Sequence, residues 1–322
     1  MRIVFFGSSD YALPSLRALL EAGRAPCLVV THPDRPVGRG RKVVTAPVAQ
    51  VAREAGLLCL QPERVNTRAF LEELEGVEPD LALVISFGQI FSRDLLRAPR
   101  LGCFNAHGSL LPKFRGAAPV QRAILAGEEK TGVTIIKMNE KMDQGPMLLK
   151  KETAIGPDES AASLRGRLAE LSARAFLEAL DVLESGDYRL EPQDEAAATM
   201  APKLRKEEGL LDWNLPAEEI HRRVRGLQPW PCAWSELEGR KVLLLGGRPL
   251  EEGGGGADPG AILRAGKEGL LVAAGRGSYL VTRLKPAGKR EMEAAEFARG
   301  ARLSPGASFH SPLPGGKGVE SE

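Results

Sequence analysis

Aromatic side chains are scarce in this chain: Phe, Trp and Tyr make up 5% of its residues. So thin a supply argues against a stacking platform for single-stranded nucleic acid, where successive bases rest on exposed rings. Cysteine is sparse too. The four cysteines, Cys27, Cys59, Cys103 and Cys232, are scattered, and no two form a C-x-x-C pair. Neither a zinc knuckle nor a thioredoxin-like site is therefore indicated, and reduced, buried thiols of a cytosolic protein are expected. No apolar run reaches the about 18 residues that a membrane span needs. The first strand-like run, Ile3 to Phe6, starts almost at Met1, so no secretory leader is expected. Together these features predict a cytoplasmic protein with no membrane partner. There is also no excess of either charge: 44 Lys+Arg stand against 42 Asp+Glu, a net +2. A nucleic-acid binder usually carries a clear basic excess. Net charge hides distribution, however, and on this point the inference stays open.

What is present is a globular chain. Its 322 residues suggest two domains, and a hydrophobic content of 43% is enough for a real core. In the first half, short runs that are apolar throughout alternate with helical patterns. The strand-like runs are Ile3–Phe6, Cys27–Val30, Leu57–Leu60, Leu81–Ile85 and Gly102–Ala106, with helices between them near Leu13–Leu20, Pro47–Glu54 and Arg68–Leu74. Runs of that kind belong to a parallel sheet covered on both faces, so the fold class is α/β with an open sheet. Ligands in such folds sit beyond the carboxyl ends of the strands. Strand-like Thr131–Met138 and Met147–Ile155 follow, and then a long helix with Leu164, Leu168, Leu171, Ala175, Ala179 and Val182 on one stripe, ended by Gly186. Asp187 to Met200 is polar and aperiodic and reads as a linker.

The second half differs. After a helical Glu218–Val224, the β-rich segments Lys241–Leu245, Gly260–Arg264, Leu270–Ala274 and Tyr279–Leu284 alternate with glycine turns, the pattern of a small β-barrel. A mobile loop is expected at Gly253–Gly256, and disorder from Ser311 onward. The division is thus 1–186 for the α/β domain, 187–205 for the linker, 206–310 for the barrel and 311–322 for the tail.

The first βα turn, Gly7-Ser8-Ser9-Asp10, lacks the G-x-G-x-x-G of a dinucleotide site, which makes a nicotinamide cofactor an unfavourable reading. Of four histidines, His221 and His310 read as solvated or packing residues and His32 opens a loop. His107 stands apart because it ends a strand as Asn105-Ala106-His107. Period-two geometry puts Asn105 and His107 on one face, a neutral hydrogen-bond donor beside a proton-transfer group. Spacing alone leaves structure and catalysis both open for this pair. A histidine in that role needs a carboxylate, and Asp143, in the turn Met142-Asp143-Gln144-Gly145, is a candidate by position, although many Asp turns are only turns. Arg35, Arg39, Arg41 and Lys42 put four cations into a stretch of eight residues with no acid, together with glycines and prolines that keep the loop out of regular structure. Phosphate binding and a solvated loop both fit that composition. Gly108 to Pro119 is an apolar, unstructured-looking segment, either a ligand wall or core.

From Phe104 to Pro112, and again over Arg115-Gly116-Ala117-Ala118-Pro119, the chain resembles the signature of the folate-dependent formyltransferases. Met142-Asp143-Gln144-Gly145 is similar to that family's Asp motif. Pro33-Asp34-Arg35-Pro36 with Gly38-Arg39-Gly40, then Lys206-Glu207-Glu208, Asp212-Trp213, Pro229-Trp230-Pro231 and Lys285 to Lys289, are similar to members that act on initiator methionyl-tRNA. The resemblance runs from residue 2 to about residue 300. It implies a Rossmann-like catalytic domain and a C-terminal OB-like barrel that binds tRNA. It also implies formyl transfer from 10-formyltetrahydrofolate, as co-substrate and without metal, to the methionine of initiator methionyl-tRNA for translation initiation; a monomer is expected. Catalytic roles fall to Asn105, His107 and Asp143, folate contacts to Ser109, Leu110, Leu111 and Pro112, and tRNA contacts to Arg35, Arg39, Arg41 and Lys42. A relative that formylates a small amine, or a non-catalytic RNA binder, are the alternatives. Two positions depart from the family pattern: Gly7-Ser8-Ser9 stands for Gly-Thr-Pro, and Pro146 stands for the Asp after the Asp-motif glycine.

Charge distribution now carries weight. Residues 240–290 hold ten basic and four acidic side chains, +6 within a chain whose total is +2. The near-neutral sum is therefore compatible with a polyanionic partner.

Overall fold

The computed structural model describes residues 1–37, 42–251, 256–301, 303 and 306–311, with the backbone alone described at 35–37 and 42–44. Arg39, Arg41, most of the glycine-rich stretch at 252–255 and the tail from 312 lie outside the described residues. The chain forms two compact units. One comprises Met1–Val120, Lys130–Ala154 and Ser163–Pro202, and the other Gln121–Glu129, Ile155–Ala162 and the chain from Lys203 onward.

In the first unit, Ile3–Gly7 (β1), Leu13–Glu21 (α1), Leu28–Val30 (β2), Arg35–Val37 (β3), Lys42–Val44 (β4), Pro47–Glu54 (α2), Cys59–Leu60 (β5), Arg68–Gly76 (α3), Leu81–Ile85 (β6), Arg93–Arg97 (α4) and Cys103–His107 (β7) follow in order. Lys130–Lys137 (β8), Met147–Ala154 (β9) and nearly all of Ala161–Ser185 (α6) come next in this unit, while Pro119–Ala126 (α5), which precedes β8 in the chain, lies mostly in the second. The main sheet has the order β5-β2-β1-β6-β7-β8-β9. Its first five strands are parallel, as their uninterrupted apolar runs demand, and β1 and β6 are buried at every residue. β8 and β9 add an antiparallel edge, and β9 accordingly alternates between half-buried and exposed positions. Four rings, Phe6, Phe70, Phe87 and Phe91, meet edge to face in one core of this unit, a quarter of the chain's sixteen aromatic residues. The basic loop departs from expectation: β3 and β4 pair as a short antiparallel hairpin with Val37 opposite Lys42. Proline is tolerated there because a two-stranded hairpin consists of edge strands only.

In the second unit, Ala217–Gly226 (α7), Ala233–Leu237 (β10), Arg240–Leu250 (β11), Ile262–Gly266 (β12), Gly269–Ala273 (β13), Ser278–Pro286 (β14), Met292–Glu293 (β15), Ala294–Ala301 (α8) and Phe309–His310 (β16) follow. The strand order is β12-β13-β14-β11-β10-β16, antiparallel throughout, with β15 on β14. The two ends of this path meet at an Ala261–Ser308 bridge, where Phe309 N donates to Gly260 O at 2.8 Å, and the curled sheet closes as an OB-like barrel. The bulge at Gly246–Gly247 bends β11, and a Cβ on Gly247 would lie 2.5 Å from the Leu280 carbonyl oxygen. Trp213 stacks on Phe309 at 5.4 Å and donates to Ser235 Oγ at 3.0 Å, which in turn donates to His310 O. The Asp212-Trp213 motif thus pins the closing strand. His221 is buried, its ring nitrogens facing Tyr279 Oη and the Pro157 carbonyl, and is a packing residue.

The Lys206-Glu207-Glu208 motif also has a structural use. Arg122 of α5 donates through Nη1 and Nη2 to Glu208 Oε2 and Oε1 at 2.6 and 3.0 Å, and Arg205 N donates to Oε1 as well. The Arg122 guanidinium, against some opposing desolvation, holds the Glu208 carboxyl below its ordinary 4.5. A depressed carboxylate stabilises the fold above its unfolded pKa, and that contribution is lost as pH falls through the folded value. Glu208→Gln is expected to destabilise the protein by about 1–2 kcal/mol at neutral pH. In melts recorded against pH, the gap from wild type should stay constant above 4.5 and close below it. A gap independent of pH would show that the charge contributes nothing.

Candidate active site

β7 delivers Asn105 and His107 to its carboxyl end, where residues two apart on a strand share a face. Asn105 is half-buried, opposite Ile136 of β8 and beside Val84 of β6. Among the described residues its side-chain amide has no hydrogen-bond partner, so its N–H groups are available to a ligand. His107 is 6% exposed. Its Nε2 lies 2.9 Å from the Phe114 carbonyl oxygen. A carbonyl only accepts, so Nε2 carries the proton and Nδ1 is the basic nitrogen. Nδ1 faces Asp143 Oδ2 at 3.6 Å, within ion-pair reach but outside a direct hydrogen bond. The carboxylate therefore faces Nδ1 without occupying its lone pair.

Asp143 has a left-handed backbone, φ +54°. Its Oδ2 accepts from Gly116 N at 2.9 Å. Gly116, at φ +123°, is a position that demands glycine: a Cβ there would lie 2.7 Å from the Ala201 carbonyl oxygen. The turn tolerates Pro146, whose carbonyl accepts from Lys137 N at 2.9 Å.

The segment after His107 is built from its own hydrogen bonds. Ser109 Oγ donates to Lys113 O at 2.6 Å, and Thr134 Oγ1 donates to Ser109 O at 2.7 Å while accepting from Leu111 N. Leu111 packs on Ile136 and Met147, and the Leu111–Pro112 peptide is cis. Ser109 and Leu111 are thus buried, and Leu110 and Pro112 are half-buried. Met142, next to Asp143, and Ile90, between β6 and α4, are large apolar side chains left exposed. A cavity of about 490 Å³ opens beside the Asp143 turn, lined by Arg93, Leu96, Arg97, Lys137, Asn139 and Gln144 among others.

Arg35 and Lys42 sit on the β3–β4 hairpin. The chain entering and leaving that hairpin is tied by Asp34, which accepts from Gln61 Nε2 at 2.8 Å, Ala46 N at 3.3 Å and Thr45 Oγ1 at 3.2 Å. In the first βα turn, Ser8 Oγ accepts from His32 N, Ser9 Oγ pairs with Ser86 Oγ at 2.8 Å, and Arg165 donates to Asp10 Oδ1 at 2.8 Å. The serines that depart from the family pattern serve to join strand ends. Among the described residues no group of three or more His, Cys, Asp or Glu is placed to hold a metal ion, and no helix is long and apolar enough to cross a membrane.

Residues 1–180 match the family described as Formyl transferase, and residues 203–302 match its C-terminal domain. The chain belongs to the formyl transferase family. Its similarity to curated members covers nearly the whole chain. It is 46% identical over 94% of both chains to the methionyl-tRNA formyltransferase of Desulfotalea psychrophila. To that of Halorhodospira halophila it is also 46% identical, over 95% of this chain and 98% of the relative. Two solved structures share the fold. HypX from Aquifex aeolicus, in complex with tetrahydrofolic acid, has a TM-score of 0.64 at 20% identity, covering 92% of this chain and 46% of that one. The N-formyltransferase from Helicobacter canadensis has a TM-score of 0.63 at 14% identity, covering 91% of this chain and all of that one.

In this formyltransferase, several residues around the site carry no motif of their own in the sequence reading. Arg115 was visible only as part of a string, and Gln193 and Glu195 lie in what reads as linker. Arg115 Nε donates to Gln193 Oε1 at 2.9 Å, and its Nη atoms donate to Glu195 at 2.8 and 2.9 Å. The structure shows the reason for the cluster: Arg115 is buried, and a buried guanidinium requires a carboxylate and further acceptors.

Proposed function

We propose that this enzyme transfers the formyl group of 10-formyltetrahydrofolate to the amino group of methionine on initiator methionyl-tRNA, as a cytoplasmic monomer. The observation that carries the chemistry is the His107–Asp143 pair at 3.6 Å, with Asn105 two residues before His107 on β7 and its amide without a partner among the described residues. The choice of acceptor is supported by relatives named methionyl-tRNA formyltransferase, 41–46% identical over about 95% of the chain.

The neutral methionyl amine attacks the formyl carbon, and the carbonyl oxygen becomes an oxyanion. Asn105 is placed to donate to that oxygen. His107 takes the amine proton at Nδ1, because its Nε2–H is held by the Phe114 carbonyl. The resulting imidazolium is stabilised by Asp143. Collapse of the intermediate restores the carbonyl and breaks the bond to N10 of the folate, which leaves with the proton returned from His107. Protons and electrons balance without a metal or a covalent enzyme intermediate. Leu110 and Pro112, with Met142 and Ile90, supply apolar surface for the folate, and Ser109 and Leu111 hold the segment's shape from beneath.

For the tRNA, the hairpin loop with Arg35, Arg39, Arg41 and Lys42 is assigned to the acceptor end, and the +6 stretch over 240–290 to the phosphate backbone. The test is a formyl-transfer assay with charged initiator tRNA beside an amino-sugar nucleotide and glycinamide ribonucleotide. Transfer to the tRNA alone is expected. Turnover of a small amine without turnover of tRNA would move the assignment to a small-molecule formyltransferase, and absence of any folate-dependent turnover would leave a non-catalytic RNA binder. In the same assay, substituting Arg39 and Arg41 by alanine should raise KM for tRNA about tenfold and flatten its salt dependence by about one to two units of slope, with KM for folate unchanged. Wild-type kinetics at moderate salt would take the loop out of tRNA binding.

A further inference from the structure

We infer that Gln193 is a positioning residue for the acid–base pair, and that the extended strap from Glu191 to Ala201 sets the His107–Asp143 separation through Arg115. The inference rests on the proton-transfer role given above to His107 and Asp143.

The three consecutive residues Phe114, Arg115 and Gly116 touch both members of the pair. The Phe114 carbonyl accepts from His107 Nε2, and Gly116 N donates to Asp143 Oδ2. The backbone of these three residues therefore works as a gauge between the imidazole and the carboxylate. That gauge is itself anchored to the strap. Arg115 N donates to Thr199 O, Ala201 N donates to Arg115 O, and Phe114 N donates to Thr199 Oγ1.

Gln193 closes the circuit from the other side. Its amide nitrogen donates to two carbonyls of the Asp143 turn, Asp143 O and Gly145 O, each at 2.8 Å. Its Oε1 accepts from Arg115 Nε, so every hydrogen of the amide and its oxygen are committed. The orientation is fixed, because a flipped amide would set its oxygen against two carbonyls and its N–H groups against a guanidinium. Arg115 is 2% exposed, and its remaining nitrogens are neutralised by Glu195. Holding a non-glycine residue at φ +54° requires surroundings that determine the turn from several sides, and the Gln193 side chain supplies one of them at the Asp143 carbonyl. None of the Gln193 atoms is left over to meet a substrate. Its effect is confined to where Asp143 points.

Sequence pattern hides this because Asp187 to Pro202 carries no long helix or strand, only the 3-10 turn Glu195–Ala197. Its backbone is nevertheless bonded into the first unit, at Met147–Glu191 and Arg115–Met200.

The experiment is a double-mutant cycle on the full-length enzyme. Gln193→Ala and Gln193→Glu are compared with wild type and combined with Asp143→Asn. Gln193→Glu keeps the shape and the acceptor for Arg115 but turns a carboxylate oxygen toward the two carbonyls. Each single Gln193 variant should lose about 10–100-fold in kcat, with KM for folate and for tRNA within about twofold. In the Asp143→Asn background the further loss should be under about twofold, since the residue acts through Asp143. A full second loss in that background, or wild-type kcat in both single variants, would overturn the inference. So would failure of both to fold, which would make the role structural. An Asp143→Asn enzyme at full speed would instead remove the acid–base reading on which the inference depends. An impaired one beside an unimpaired Gln193→Ala would overturn the positioning role alone.

Discussion

His107→Ala is expected to lower kcat for formyl transfer by about 10²–10⁴-fold, the usual range for removal of one acid–base group, and to leave KM for 10-formyltetrahydrofolate close to wild type. The effect is expected in kcat because, in the proposed mechanism, the imidazole acts on a proton that moves only during the reaction. The amine must lose a proton once it has attacked, and N10 must gain one before it can leave. Without His107, both transfers fall to water in a site whose neighbouring carboxylate, Asp143, no longer has an imidazole to face at 3.6 Å. A second consequence separates this role from simple packing. His107 is 6% exposed and holds the Phe114 carbonyl, so alanine also removes a structural hydrogen bond. His107→Gln can restore a donor to that carbonyl without restoring a base. It should therefore recover stability in a melt and not recover kcat. If His107→Gln turned over near the wild-type rate, the histidine would be a scaffold and the proton transfer would have to be assigned elsewhere.

The sequence was most legible where one physical demand dominates. Strands buried on both faces must be apolar throughout, and β1 and β6 were readable for that reason. The 25-residue helix α6 was readable from its stripe. Short elements stabilised by partners distant in the chain were not. β10 was missed because its pattern alternates over only five residues, and β16 because it has two residues and exists by pairing with Glu236 and Leu237. The β3–β4 hairpin was missed because its glycines and prolines signal a loop, and local propensity cannot register a pairing that makes only three residue pairs.

The site divides in the same way. Asn105 and His107 are coupled by strand periodicity, so their proximity was a local inference. Asp143 was a candidate only by position, since nothing local shows that a turn after β8 will fold over the end of β7. The contacts that hold it there span 27 residues to Gly116 and 50 to Gln193. Ser109 shows the opposite case. A hydroxyl in a motif next to His107 invites a ligand contact, and its Oγ donates to Lys113 O with the side chain fully buried. Motif membership alone does not distinguish the residue that meets a ligand from the one that shapes the loop.

Asn105→Ala is expected to lower kcat by about 10²–10³-fold, the cost of removing one donor to a developing oxyanion, equivalent to about 2.7–4 kcal/mol of transition-state stabilisation. Three features point to this residue. It lies at the carboxyl end of β7, where ligands of open α/β sheets bind. It is half-buried, so a bond to it forms in a partly dehydrated setting where electrostatic stabilisation is stronger than in water. Among the described residues its amide also has no partner, so no bond to any of them has to break before it can donate. Stability should change little, because the side chain holds nothing in place. Asn105→Asp provides the sharper comparison: the two side chains are nearly isosteric, but an ionised carboxylate only accepts and would repel the oxyanion. It should be at least as slow as Asn105→Ala while binding folate with a KM within a few-fold of wild type. A kcat for Asn105→Asp close to that of wild type would mean that this amide does not face the reacting oxygen. Oxyanion stabilisation would then have to be assigned to another donor.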